Sequence, residues 1–150
     1  IKMGVIKPTL TLVSNASSAT TDAGPMSIAL NLSATDSLTV DHVESKIFKP
    51  TTTAAILFDG STKDDGGTAG THGGFIYFKN VSASDHDVYI GVGAESMSAT
   101  ELQDPTDADR FFTLKQGEFA FFPYDYEMDI SVDAEHADAE LEYWLFNRAI

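Results

Sequence analysis

The chain has 150 residues, enough for one domain, with 9 Lys plus Arg against 23 Asp plus Glu and a net charge of −14. A field of that sign repels phosphate backbones and anionic lipid headgroups, which argues against nucleic-acid and membrane-surface partners. With no cysteine, disulfides and thiolate metal sites are excluded, which suits assembly in a reducing cytosol.

A domain of this size buries roughly 70% of the surface its unfolded chain exposes, so it needs no metal or disulfide to fold. Aromatic residues make up 11% and charged residues 21% of the chain. Thr, Ser, Ala, Gly and Asp are abundant, a balance that fits β-structure with polar loops better than helices. The acidity itself is what solubility or a salty medium asks for. No apolar run reaches the length of a membrane span, and Ile1-Lys2-Met3-Gly4-Val5-Ile6 lacks the pattern of a signal peptide.

From the N-terminus, Val5 to Val13 reads as a strand interrupted by Pro8, hence an edge or a strand start. Residues 14–24 are small and polar, so residues 1–24 form an extended N-terminal segment of a single domain spanning 1–150. Ile28, Leu30 and Leu32 alternate with polar or small residues and predict a half-buried strand. Leu38 to Phe48 predicts another, with His42, Glu44 and Lys46 on one parity as its solvated face. His42 and Glu44 could offer two ligands to zinc, but no third ligand is implied.

Thr53 to Phe58 predicts a short strand that runs into a glycine-rich loop, residues 59–74. Asp59, Lys63 and His72 lie in this loop, the place for mobility or partner contact. Its acids superficially suggest a calcium loop, but the spacing is not that of an EF-hand and Lys63 sits among them. Phe75 to Lys79 and Val88 to Val92 predict a hairpin, with Gly91 and Gly93 on the parity where another group approaches closely. Thr100-Glu101-Leu102 predicts one helical turn, limited by Pro105. Sequons begin at Asn15, Asn31 and Asn80 and matter only in a eukaryotic secretory setting.

Arg110 to Tyr124 is the aromatic centre of the chain. It predicts two strands joined at Gln116-Gly117 as a hairpin, with Phe112 and Leu114, then Phe119 and Phe121, alternating. Met128, Ile130 and Val132 alternate with Asp129, Ser131 and Asp133, and residues 133–138 predict an acidic turn. The last strand places Leu141, Tyr143 and Leu145 on one side and Glu140, Glu142, Trp144 and Phe146 on the other. An outward face carrying Trp144 and Phe146 reads either as a contact with another chain or as rings turning inward where the sheet twists. About ten strands with almost no helical periodicity predict an all-β, antiparallel β-sandwich or jelly-roll-like fold.

No catalytic constellation stands out. There is no Gly-x-Ser-x-Gly, P-loop or dinucleotide fingerprint. His72, His86 and His136 fall in loops and turns and read as solvated. The hairpin from Gly117 to Pro123 suggests a cupin, but no His lies near it, which disfavours that metal chemistry. Neither catalytic, cofactor-binding nor metal-binding residues are expected.

Phe75-Ile76-Tyr77-Phe78-Lys79-Asn80, Asp87-Val88-Tyr89-Ile90-Gly91-Val92-Gly93, the run from Phe112 to Pro123, and Leu141-Glu142-Tyr143-Trp144-Leu145-Phe146 together resemble small structural proteins of tailed, especially marine, bacteriophages. The resemblance covers about half the chain, residues 75–146, and the N-terminal half shows none. It implies a non-enzymatic β-sandwich virion protein, assembled in the host cytoplasm. The first expectation is a capsid decoration or cement subunit whose partners are the major capsid protein or other virion proteins. It would be a homo-oligomer, a trimer among the options. Contact candidates are Trp144, Phe146 and the loop with Asp59, Lys63 and His72. The alternatives are another head–tail accessory protein, or a carbohydrate- or receptor-binding module of a tail fibre or spike, using Tyr124, Tyr126 and Trp144. A small cupin-like enzyme is the remaining reading.

Overall fold

The structure, a computed structural model, describes residues 4–6, 9–13, 27–31, 38–60, 73–92, 101–103, 109–124 and 129–148. It is all-β and antiparallel. The strands are β1 (Gly4–Ile6), β2 (Thr9–Val13), β3 (Ser27–Asn31), β4 (Leu38–Phe48), β5 (Ala55–Phe58), β6 (Gly74–Asn80) and β7 (Val88–Val92). After a 3-10 turn, Glu101–Gln103, follow β8 (Arg110–Leu114), β9 (Phe119–Tyr124), β10 (Ile130–Ala134) and β11 (Leu141–Arg148). One sheet has the order β1-β4-β11-β6-β9 and a second the order β5-β10-β7-β8, while β2 pairs with β3. Gly4–Ile6 pairs with β4 at the edge of the larger sheet.

The pairing from β4 onward is nested. β4 pairs with β11, β5 with β10, β6 with β9 and β7 with β8. The two halves of this stretch thus run as one long antiparallel ribbon, closed across by β11·β6 and β10·β7. Inward side chains of both sheets meet in one core that includes Phe58, Phe78, Ile90, Val132, Leu141 and Leu145. Phe58 of the smaller sheet meets Tyr143 of the larger edge to face, with ring centroids 4.9 Å apart.

This wrapping overturns two expected hairpins. Phe75 to Lys79 and Val88 to Val92 lie in β6 and β7, in different sheets, and so do β8 and β9. The turn at Gln116-Gly117 exists: Glu118 N–H donates to Lys115 O at 2.9 Å and Gly117 has φ +80°. A positive φ at the third turn position is one that glycine takes without steric cost, and the strands on either side of the turn lie in different sheets. The chain accordingly turns a corner from one sheet to the other.

The outer face of the smaller sheet is covered as well. All of β10 is buried, Ser131 and Asp133 included, because the Glu101–Gln103 turn lies against it. Leu102, fully buried, sits on Gly91. A Cβ at Gly91 would meet Asp109 O at 2.9 Å as well as the Leu102 side chain, so the close approach expected at this glycine is present. Gln103 Nε2 donates to Asp133 Oδ1 at 3.1 Å, and Arg110 Nε donates to Leu102 O at 2.6 Å. Asp133 is thus a strand residue under this strap, not part of an exposed acidic turn.

Candidate functional site

The outer face of the five-stranded sheet is the surface that stands out. Directly opposed residues of antiparallel strands point the same way, so the register defines three rows across β4, β11, β6 and β9. They are Val43, Phe146, Phe75, Pro123; then Ser45, Trp144, Tyr77, Phe121; then Ile47, Glu142, Lys79, Phe119. Ile47 is 60% and Phe119 57% exposed, and Val43, Phe121 and Trp144 are exposed too. At ordinary strand spacing and rise this grid covers on the order of 400 Å².

Ring contacts tie the face together. Phe75 stacks on Phe121 at 5.6 Å, Tyr77 on Phe119 at 6.1 Å and Trp144 on Phe146 at 6.2 Å. Phe121 meets Phe146 at 6.5 Å. Trp144 Nε1 donates to Glu142 Oε1 at 2.9 Å, which fixes the indole on the surface. Burial, and then the Glu142 carboxylate, push the Tyr77 phenol up, so it stays protonated.

β4 reverses the expected orientation. Its polar Glu44 and Lys46 lie opposite Leu145 and Tyr143, on the inner side, whereas Val43 and Ile47 point out. Inward Glu44 accepts the Tyr143 hydroxyl at 2.6 Å. Desolvation, followed by that bond, pushes the Tyr143 phenol far up. A strand with apolar residues on the solvent side and a carboxylate on the inner side contributes to the outer face at the expense of the core. The side chain of His42, suggested with Glu44 as a zinc pair, lies outside the described residues.

Trp144 and Phe146 lie at the middle of this face. Tyr124 does not: β9 turns Ala120, Phe122 and Tyr124 inward, and Tyr124 is 6% exposed in the core. The same alternation puts Phe119 and Phe121 outside. Asp59 is half-buried beside Gly60, whose N–H donates to Asp129 Oδ1 at 2.7 Å. Lys63, His72 and Tyr126 lie outside the described residues, as does most of the loop considered for calcium. Phe75, Tyr77, Val43, Ile47, Phe119 and Phe121 were not expected on a contact surface. In β9 the only available signal was that aromatics occupy both parities.

A second cluster lies at one end of the sandwich. His86 and His136, expected to be separately solvated, stack with centroids 4.5 Å apart. Both face Asp138 Oδ1, at 3.1 Å from His86 Nε2 and 3.2 Å from His136 Nδ1. Slight desolvation works to raise the Asp138 carboxyl, but its own backbone amide and the two imidazoles outweigh it and hold the group below the ordinary value. Among the described residues, no helix is long and apolar enough to cross a membrane. Comparison of the chain with protein-family models, with curated proteins and with solved structures finds no match.

Proposed function

We propose that this chain is a non-enzymatic structural subunit of a bacteriophage virion, of the capsid decoration or cement type. On this reading β4 to β11 form a jelly roll, and the outer face of the five-stranded sheet is applied to neighbouring capsid subunits. The observation that carries the proposal is the exposed aromatic grid, with Val43 and Ile47 turned outward beside it. The largest apolar patch on a protein surface is often its functional contact. The bacteriophage assignment rests on the sequence resemblance.

The area is also informative. A stable pairwise interface buries about 800 Å² per partner, roughly twice the grid. A subunit repeated over a lattice gains the difference through several contacts at once, and the net charge of −14 keeps unassembled subunits and finished particles apart. The test is binding of the purified chain to undecorated capsids by co-sedimentation, with Phe119→Glu and Ile47→Glu as variants. Binding of wild type and its loss in both variants is expected. A chain with no affinity for capsids overturns the reading.

A carbohydrate-binding role on a tail fibre is the second reading. It is favoured by the fixed Trp144 indole beside the Glu142 carboxylate, since a sugar can stack on the ring and donate to the acid. Glycan-array binding abolished by Trp144→Ala, without capsid binding, would select it.

A further inference from the structure

We propose that His86, His136 and Asp138 form a binding site for a borderline divalent transition-metal ion, Zn²⁺ in the first instance, that clasps the β6–β7 and β10–β11 loops together.

The donors come from two loops far apart in sequence and converge on one point: their ligand atoms all lie within 4.8 Å of one another. Zinc binds imidazole nitrogen and carboxylate oxygen at about 2.0–2.1 Å, so the edge of its coordination tetrahedron is about 3.4 Å. The two nitrogen-to-Asp138 contacts, 3.1 and 3.2 Å, are close to that edge. Two imidazoles and one carboxylate suit zinc and its neighbours, whereas calcium and magnesium want oxygen alone. Water would fill the fourth position.

The loops are already braced for this. Glu135 N–H donates to Asp87 O at 3.0 Å, and Asp87 N–H donates to Glu135 Oε2 at 3.3 Å. Buried Asn80 donates through Nδ2 to His86 O at 2.7 Å. The His86 side chain is 16% exposed, while those of His136 and Asp138 are 65% and 67% exposed. The ion therefore has an open approach. The rings are stacked to within 12°, so in-plane lone pairs of both nitrogens cannot reach one ion until the freer His136 ring tilts. Loading thus trades the ring stack and the two imidazole–carboxylate contacts for three coordination bonds.

The experiment uses the full, tag-free chain stripped with chelator and titrated with ZnCl₂ by calorimetry, in parallel with CaCl₂ and a thermal-melting series. One zinc per chain is expected, with a rise in melting temperature and little response to calcium. Loss of one protein ligand is expected to weaken zinc binding by about tenfold or more, by analogy with the 10–100-fold cost of removing even the outer partners of a metal site. His136→Ala and Asp138→Asn, both at exposed positions, report this without endangering the fold. The Co²⁺-loaded protein should show the visible absorption of a four-coordinate site, lost in His136→Ala. Failure to bind zinc, binding unchanged in His136→Ala and Asp138→Asn, or calcium binding as tight as zinc binding would each overturn the proposal.

Discussion

Asn80 Nδ2 donates to the Leu114 carbonyl at 2.9 Å, across 34 residues of chain, in a site with no solvent access. The same side chain donates to His86 O, and its Oδ1 accepts the Ser82 N–H at 3.0 Å and the Ser82 hydroxyl at 2.6 Å. Ser82 Oγ in turn accepts Glu140 N–H at 2.9 Å. One amide therefore ties the end of β6 to β8, to its own following loop and, through Ser82, to the start of β11. Asn80→Ala would leave several buried backbone groups without partners, at a cost of about 3 kcal/mol or more. Urea unfolding checks this. Because the side chain is enclosed, the sequon at Asn80 should also stay unmodified when the folded chain is offered to a glycosylating system.

The strap over the smaller sheet depends on Gly91. Gly91→Ala places a methyl group against Leu102 and the Asp109 carbonyl. Backbone cannot yield there, so a loss of about 1–3 kcal/mol is expected. Leu102→Ala empties the same contact from the other side, at about 2–5 kcal/mol. If the strap contributes nothing, both variants will melt with wild type.

Asp133 makes stability depend on pH in a definite direction. Burial, opposed by the bonds from Gln103 and Ala134 and by Arg110, pushes its carboxyl above the ordinary value, and Oδ2 has no hydrogen-bond partner among the described residues. Between the unfolded and the raised folded value, the folded state keeps a proton that the unfolded chain has released. Stability from this group is therefore fully present below the unfolded value and is lost as pH rises through the folded one. Asp133→Asn removes that dependence. It should match or exceed wild type at neutral pH, with the advantage vanishing in acid. A variant clearly less stable than wild type at pH 7 would show that the ionised carboxylate is held by a partner.

Residues of the aromatic grid should separate assembly from folding. Phe119 and Ile47 are more than half exposed, so their replacement by Glu should cost only about 0.5–1.5 kcal/mol, for the lost stack on Tyr77 in one case and the facing Glu142 carboxylate in the other. Sedimentation and melting of the same samples distinguish the two effects. A large loss of stability in both would make the face part of the core.

Strand content, the 3-10 turn near Glu101 and the two sides of β11 were legible from residues alone. Leu141, Tyr143 and Leu145 alternate with residues that include two carboxylates, and only one assignment of inside and outside is cheap. In β9 both parities are aromatic, so burial energy is nearly equal either way, and neighbours outside the strand chose. The same held for β4, where Glu44 could point inward because Tyr143 supplies a hydroxyl. Period-two patterning says that a residue lies on one of two faces; it does not say which sheet the strand joins, since a short turn serves a corner as well as a hairpin. The destination of β7, the cover over Asp133 and the meeting of His86 with His136 were set by contacts between segments distant in sequence. The chain determined its layers locally, through side-chain alternation. Its partners across those layers, and hence both candidate sites, were decided only when the ribbon closed and long-range burial outweighed local preference.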